Sequence, residues 1–149
     1  MATEQLNSIW KNQFGVEYTR RKSGVHETEG GKRRAFWHQL VEQIPDAVSY
    51  LEIGCNAGMN LEGLYNANPG LQITGLEPNT YALSEARHRS EDRYEIVEGN
   101  IFDIDPLPLR ADLVFTCTVL IHIHPGDLYR AMEQIYAASG RYILTMEYY

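Results

Sequence analysis

The chain has 149 residues, 44% of them hydrophobic and 22% charged, with 13 Lys and Arg against 20 Asp and Glu for a formal net charge of -7. That length suits one domain with a sizeable core, and a surface of that sign does not draw phosphate backbones, which argues against nucleic acid as a partner. The opening MATEQLNSIW is not built as a signal peptide, no apolar run is long enough for a membrane, and Cys55 and Cys117 show no metal-ligand spacing, so the expectation is a cytoplasmic protein with reduced thiols and no metal.

Trp10, Phe14 and Tyr18 recur every four residues and share one face of a short helix. GVHETEGG (24–31) reads as a flexible loop ending in paired glycines, so that residues 1–31 form a helix and lid segment. Its basic residues, Arg20, Arg21 and Lys22, read as solvated surface or lid. A helical pattern runs from Lys32 to Gln43 and is stopped by Pro45. Strand and helix then alternate. VSYLEIGC (48–55), LQITGLEP (71–78) and YEIVEGNIF (94–102) read as strands, with helices at 59–68 and 80–89, the second opened by an Asn79 or Thr80 cap. After a proline-broken loop, ADLVFTCTVLIHI (111–123) begins as a buried strand, 124–139 is a helix, and RYILTMEYY (141–149) is a fifth strand. This alternation predicts an α/β fold, a Rossmann-like parallel sheet of about five strands with helices on both faces. No repeat or linker divides it, which gives a single domain over 1–149. Ligands of such sheets sit at the carboxyl ends of the first strands.

The turn in YLEIGCNAG (50–58) carries the most information. Gly54 and Gly58 flank a tight strand-to-helix turn, where a backbone must approach a ligand closely. A dinucleotide site has glycines at the first, third and sixth positions, but here the third is Asn56 and the sixth Met59. Glu52 would also set a carboxylate beside bound phosphates. A sulfonium cofactor with an α-ammonium group has no phosphate and gains from that acid, so the turn favours S-adenosylmethionine over a nicotinamide dinucleotide. Glu77, at the end of the second strand, is where an acid accepts two ribose hydroxyls. Asn100 or the Ile101 backbone meets the adenine, with Phe102 beside it, although Ile101 and Phe102 also read as plain core. Thr116 and Cys117 line the floor near the sulfonium, and Val119 and Leu120 close the pocket. His122 and His124 are either general bases for the methyl acceptor or packed residues bonded to backbone.

FWHQLV (36–41), YLEIGCNAGMNLEGL (50–64), ITGLEPN (73–79), DLVFTCTVLIHIHPGDL (112–128) and RYILTMEYY (141–149), with WKNQFGVEYTRR (10–21), resemble class I S-adenosylmethionine-dependent methyltransferases. Within them the chain is most similar to the pseudaminic acid biosynthesis-associated methylases. The resemblance implies that Glu52, Gly54, Cys55, Asn56 and Gly58 surround the methionine moiety. It puts Glu77 and Pro78 at the ribose and Asn100 and Ile101 at the adenine. Tyr18, Thr19 and Arg21 would form a lid, Arg21 facing the cofactor carboxylate. It implies a small-molecule acceptor of nonulosonic-sugar type. Such proteins continue past the fifth strand into a helix and an antiparallel strand pair, whereas this sequence stops at Tyr149. The fifth strand would then become a sheet edge, with Ile143, Leu144, Met146, Tyr148 and Tyr149 poorly covered, so that either the sequence is truncated or a second copy completes the fold. The rival reading is an S-adenosylmethionine-binding module, a sensor or partner subunit, without transfer to an acceptor. A nicotinamide-dependent oxidoreductase is the third.

Overall fold

The structure, a computed structural model, describes residues 8–105 and 107–148, with the side chains of 23–29 excepted. Five parallel strands form one sheet in the order β3-β2-β1-β4-β5. They are β1 (Ser49–Ile53), β2 (Gln72–Glu77), β3 (Glu95–Glu98), β4 (Ala111–Cys117) and β5 (Ser139–Met146). The helices are α1 (Gln13–Gln43), α2 (Met59–Ala67), α3 (Thr80–Ser90) and α4 (Leu128–Ala138). The order reverses between β1 and β4, and a crevice opens at the carboxyl ends of strands around that point.

Strand side chains alternate between two cores, as a period of two requires. Tyr50, Ile73, Ile96, Leu113 and Phe115 face α1, α2 and α3, where they bury Trp37, Leu61, Leu64 and Leu83. Leu51, Ile53, Leu76 and Val114 face the other way, onto Ile101, Ile104 and the Ala131, Ile135, Ala138 stripe of α4. Asp112 ties the far end of the sheet. Its Oδ2 accepts from the backbone N–H groups of Val48 and Ser49 at 2.8 and 3.1 Å, which, with the Val48 bond foremost, lowers its pKa.

Two expectations need correction. Residues 24–31 are not a loop: α1 runs unbroken through them for 31 residues. Gly30 and Gly31 weaken a helix by about 1 kcal/mol each relative to Ala. They do so on an exposed face where an added Cβ would touch nothing, while buried Thr19 and Trp37 anchor the helix on either side. Ile143 on β5 and Tyr148 just beyond it are 45% and 74% exposed, but Leu144 and Met146 are half-buried against the core. Tyr149 lies outside the described residues.

Candidate active site

The turn after β1 shapes the floor of the crevice. Gly54 and Gly58 take φ of +74° and +77°, the left-handed region that favours glycine. Asn56 shares that region at +49°, which an asparagine tolerates because its short amide bonds locally. Here its Oδ1 accepts from the Ala57 N–H at 2.7 Å. A Cβ on Gly54 would stand 2.6 Å from Val119 Cγ2, so the absence of a side chain keeps the floor open.

Glu77 faces this turn from the end of β2. Its Oε2 accepts from the Asn56 N–H at 2.8 Å and its Oε1 from the Asn79 N–H at 2.9 Å. A carboxylate has about four acceptor positions, so the two bonds fix its plane and leave lone pairs for two further donors. Burial pushes its pKa up to about 7, against the lowering effect of those N–H groups. Glu52 is more deeply enclosed. Its Oε1 accepts from Asn60 Nδ2 at 2.7 Å, and its Oε2 has no hydrogen-bond partner among the described residues. Burial raises its pKa to about 8, opposed by Asn60 and the Arg33 charge.

The crevice holds about 800 Å³ of space, including the part open to solvent, and Gly54, Asn56, Glu77, Pro78, Asn100 and Ile101 form one side. Cys117, Val119, His122, Trp10 and Tyr18 also belong to the lining. Trp10 is the centre of an edge-on aromatic group, with ring centroids 5.2 Å from Tyr18 and 4.6 Å from His122. Its backbone carbonyl accepts from Asn79 Nδ2 at 2.7 Å, while Asn79 Oδ1 caps α3 by accepting from Tyr81 and Ala82 N–H. Gly15 makes that approach feasible, since its Cβ would meet the Trp10 carbonyl and stand 2.5 Å from Asn79 Nδ2. Burial lowers the pKa of His122, which leaves a neutral imidazole at pH 7.

Thus Tyr18, Gly54, Asn56, Glu77, Pro78, Asn100, Ile101, Cys117 and His122 meet in one place. The remaining expected residues stand apart from the lining. Cys55 turns into the α1–α3 core, where burial raises its thiol pKa. Gly58 caps α2 behind the turn. Arg21 is exposed on α1. Thr116 is buried with its hydroxyl donated to Glu147 Oε1 at 3.1 Å. His124 Nδ1 accepts from the Gly126 N–H at 3.1 Å, which closes a 3-10 turn. Glu52 stands behind the lining, bonded to Asn60; burial, and after it the Glu52 charge, raises the pKa of the Cys117 thiol. Asn100 Oδ1 already accepts from Phe102 N–H at 2.8 Å, so the turn after β3 is braced by the side chain expected to meet a base.

Sequence reading missed Trp10, Ile53, Thr118 and Ile123 as lining, and it passed over Glu147. The signal for Glu147 was available: Glu52, Glu77 and Glu147 all stand at or near the carboxyl ends of their strands, where a parallel sheet carries its ligand.

The methyltransferase domain family matches residues 51–140. Among solved structures, the chain is similar to DesVI of Streptomyces venezuelae at 18% identity and a TM-score of 0.68, over 81% of this chain and 52% of that one. It is similar to CalS10, an amino pentose methyltransferase from Micromonospora echinaspora, at 20% identity and a TM-score of 0.72, over 89% and 56%. The mitomycin 7-O-methyltransferase MmcR shares 24% identity at a TM-score of 0.71, over 97% of this chain and 42% of that one. The chain spans about half the length of these proteins. No curated protein matches the sequence.

Proposed function

Because the chain belongs to the methyltransferase domain family, we propose that it transfers a methyl group from S-adenosylmethionine to a small-molecule acceptor. Its five parallel strands make the Rossmann-like core of class I methyltransferases. The observation that carries the reading is Glu77, a carboxylate fixed by two backbone N–H groups with acceptor capacity to spare. Two ribose hydroxyls are the donors that fit it. Gly54 gives the cofactor backbone-close access, and Ile101 and Pro78 offer apolar surface to the adenine. Glu52 favours the cofactor's positive charges from behind Asn60 and Cys117.

The bound cofactor supplies a methyl group already activated by its sulfonium. What remains for the protein is alignment and exclusion of water. Trp10 and Tyr18 line the crevice, and neutral His122 is the ring placed to take the acceptor's proton. CalS10 is described as an amino pentose methyltransferase, and one EvdMO1 structure was obtained in the presence of D-fucose. Those names support a sugar-like acceptor, and we carry the nonulosonic-sugar type as the specific proposal. The free cysteines suit the cytoplasm, and the exposed Tyr129, Tyr136 and Ile143 suit pairing with a second copy.

Incubation with methyl-labelled S-adenosylmethionine and a panel of sugar intermediates tests the reaction. Label should appear on an acceptor. Retained cofactor binding with no transfer to any acceptor would favour the binding-module reading, which the bonded state of His124 also supports.

A further inference from the structure

We infer that Glu147, just beyond β5, is the positioning residue that holds the acceptor-side wall of the crevice. The inference rests on reading the crevice as the methyl-transfer site. The wall is the segment after β4, which leaves the sheet at Cys117, passes Thr118 and makes a 3-10 turn at Leu120–His122. Thr118 stands at φ +56°, a strained conformation for a β-branched residue that persists only where surroundings impose it. The N–H groups that open a helical turn have no partner within it.

Glu147 supplies what both features lack. Its Oε1 accepts from the Thr116 hydroxyl at 3.1 Å and from the Val119 and Leu120 N–H groups at 3.3 Å, and its Oε2 from the Ile121 N–H at 3.3 Å. The backbone adds a Thr118 N–H to Met146 carbonyl bond at 2.8 Å. Each carboxylate bond is long, but four donors converge on one charge at the positive end of a turn. Val119, His122 and Ile123, which that turn carries, all line the crevice. Trp10 packs on the His122 ring, and the Glu147 charge acts on it, raising its pKa against burial. Glu147 thus acts through the wall rather than on a ligand.

Amide hydrogen exchange and the His122 imidazole titration, both by NMR on the full chain without cofactor, test this directly. In Glu147→Gln the amides of 119, 120 and 121 should exchange at least about tenfold faster while that of Leu51 in β1 is unchanged. The His122 midpoint should fall, and affinity for S-adenosylhomocysteine should drop severalfold. Unchanged exchange at 119–121, an unchanged midpoint, or equal acceleration at Leu51 would overturn the inference. Should Glu147→Gln not fold, Thr116→Val keeps the charge and removes one donor. Faster exchange at 119–121 in that variant would support the role, and none would overturn it. Failure of the wild-type chain to bind S-adenosylhomocysteine, with the exchange and titration results as expected, would sink the methyl-transfer reading, and with it the acceptor side, while the bracing of 119–121 by Glu147 would stand.

Discussion

Burial sets Glu77 near 7 and Glu52 near 8, so in the free protein a large share of each is protonated at neutral pH. Ribose hydroxyls donate best to an ionised Glu77, and a sulfonium or ammonium favours an ionised Glu52. Binding of S-adenosylhomocysteine at pH 7 should therefore release protons, seen as a dependence of the calorimetric heat on buffer ionisation enthalpy. The affinity should weaken at least about tenfold between pH 8 and pH 6, the factor by which ionised Glu77 alone becomes scarcer below its pKa, with scarcer ionised Glu52 adding to the loss. A pH-independent affinity would contradict that account. Gly54→Ala places a Cβ in the left-handed region and against Val119. It should lower stability by about 1–2 kcal/mol in chemical denaturation and abolish cofactor binding. Glu77 was legible in the sequence because the register behind a glycine turn is stereotyped. Cys55 and Thr116 were not, because period two decides which face each takes and a single polar or thiol residue fits either.

At the scale of elements, the N-terminal segment reaches the crevice because one side chain serves two masters. Asn79 caps α3 through Oδ1 and holds the Trp10 carbonyl through Nδ2. Asn79→Ala should cost about 1–2 kcal/mol of stability and release Trp10. Gly15→Ala should release Trp10 while leaving the cap in place. Iodide quenching of tryptophan fluorescence reads the release, since buried Trp37 stays protected and Trp10 becomes accessible in both variants. Unchanged quenching would show that the aromatic group alone holds the segment. The rings of Trp10, Phe14 and Tyr18 do meet, but not along one helix, since α1 begins at Gln13 and Trp10 precedes it, and their spacing did not show that Trp10 and Tyr18 line a crevice. The continuity of α1 through 24–31 was illegible for a different reason. Glycine propensity argues locally for a loop, and only the tertiary anchors on either side overrule it.

For the whole molecule, the parallel sheet was readable because strands buried on both faces show as apolar runs between helical patterns. The ends of β3 and β4 were not, since apolar residues continue past the ladder into the crevice wall at Ile101 and Val119. Global stability should also report the buried acids. Glu52 and Glu77 have folded pKa values raised above their unfolded value, so the native state binds more protons and their contribution is lost as pH rises through about 7 and about 8. Stability without cofactor should fall as pH rises from about 5 to about 8 and level off above that, and Glu52→Gln should flatten that slope. His122, lowered by burial, acts in the opposite sense but only below its ordinary range near 6.5. Ile143 and Tyr148 on the β5 side, with Tyr129 and Tyr136 at 75% and 76% exposure on α4, make the surface on which self-association would depend. Sedimentation velocity should show a dimer that Ile143→Lys disperses, and a wild-type monomer would remove that proposal.

On the proposed reading, Glu77 holds S-adenosylmethionine in this crevice, and calorimetric titration of the full chain with S-adenosylhomocysteine at pH 8, beside Glu77→Ala, checks it. Saturable binding by the wild type is expected, with a loss of at least about tenfold in the variant, about 1.4 kcal/mol. Equal binding by both proteins, or none by the wild type, would rule that reading out.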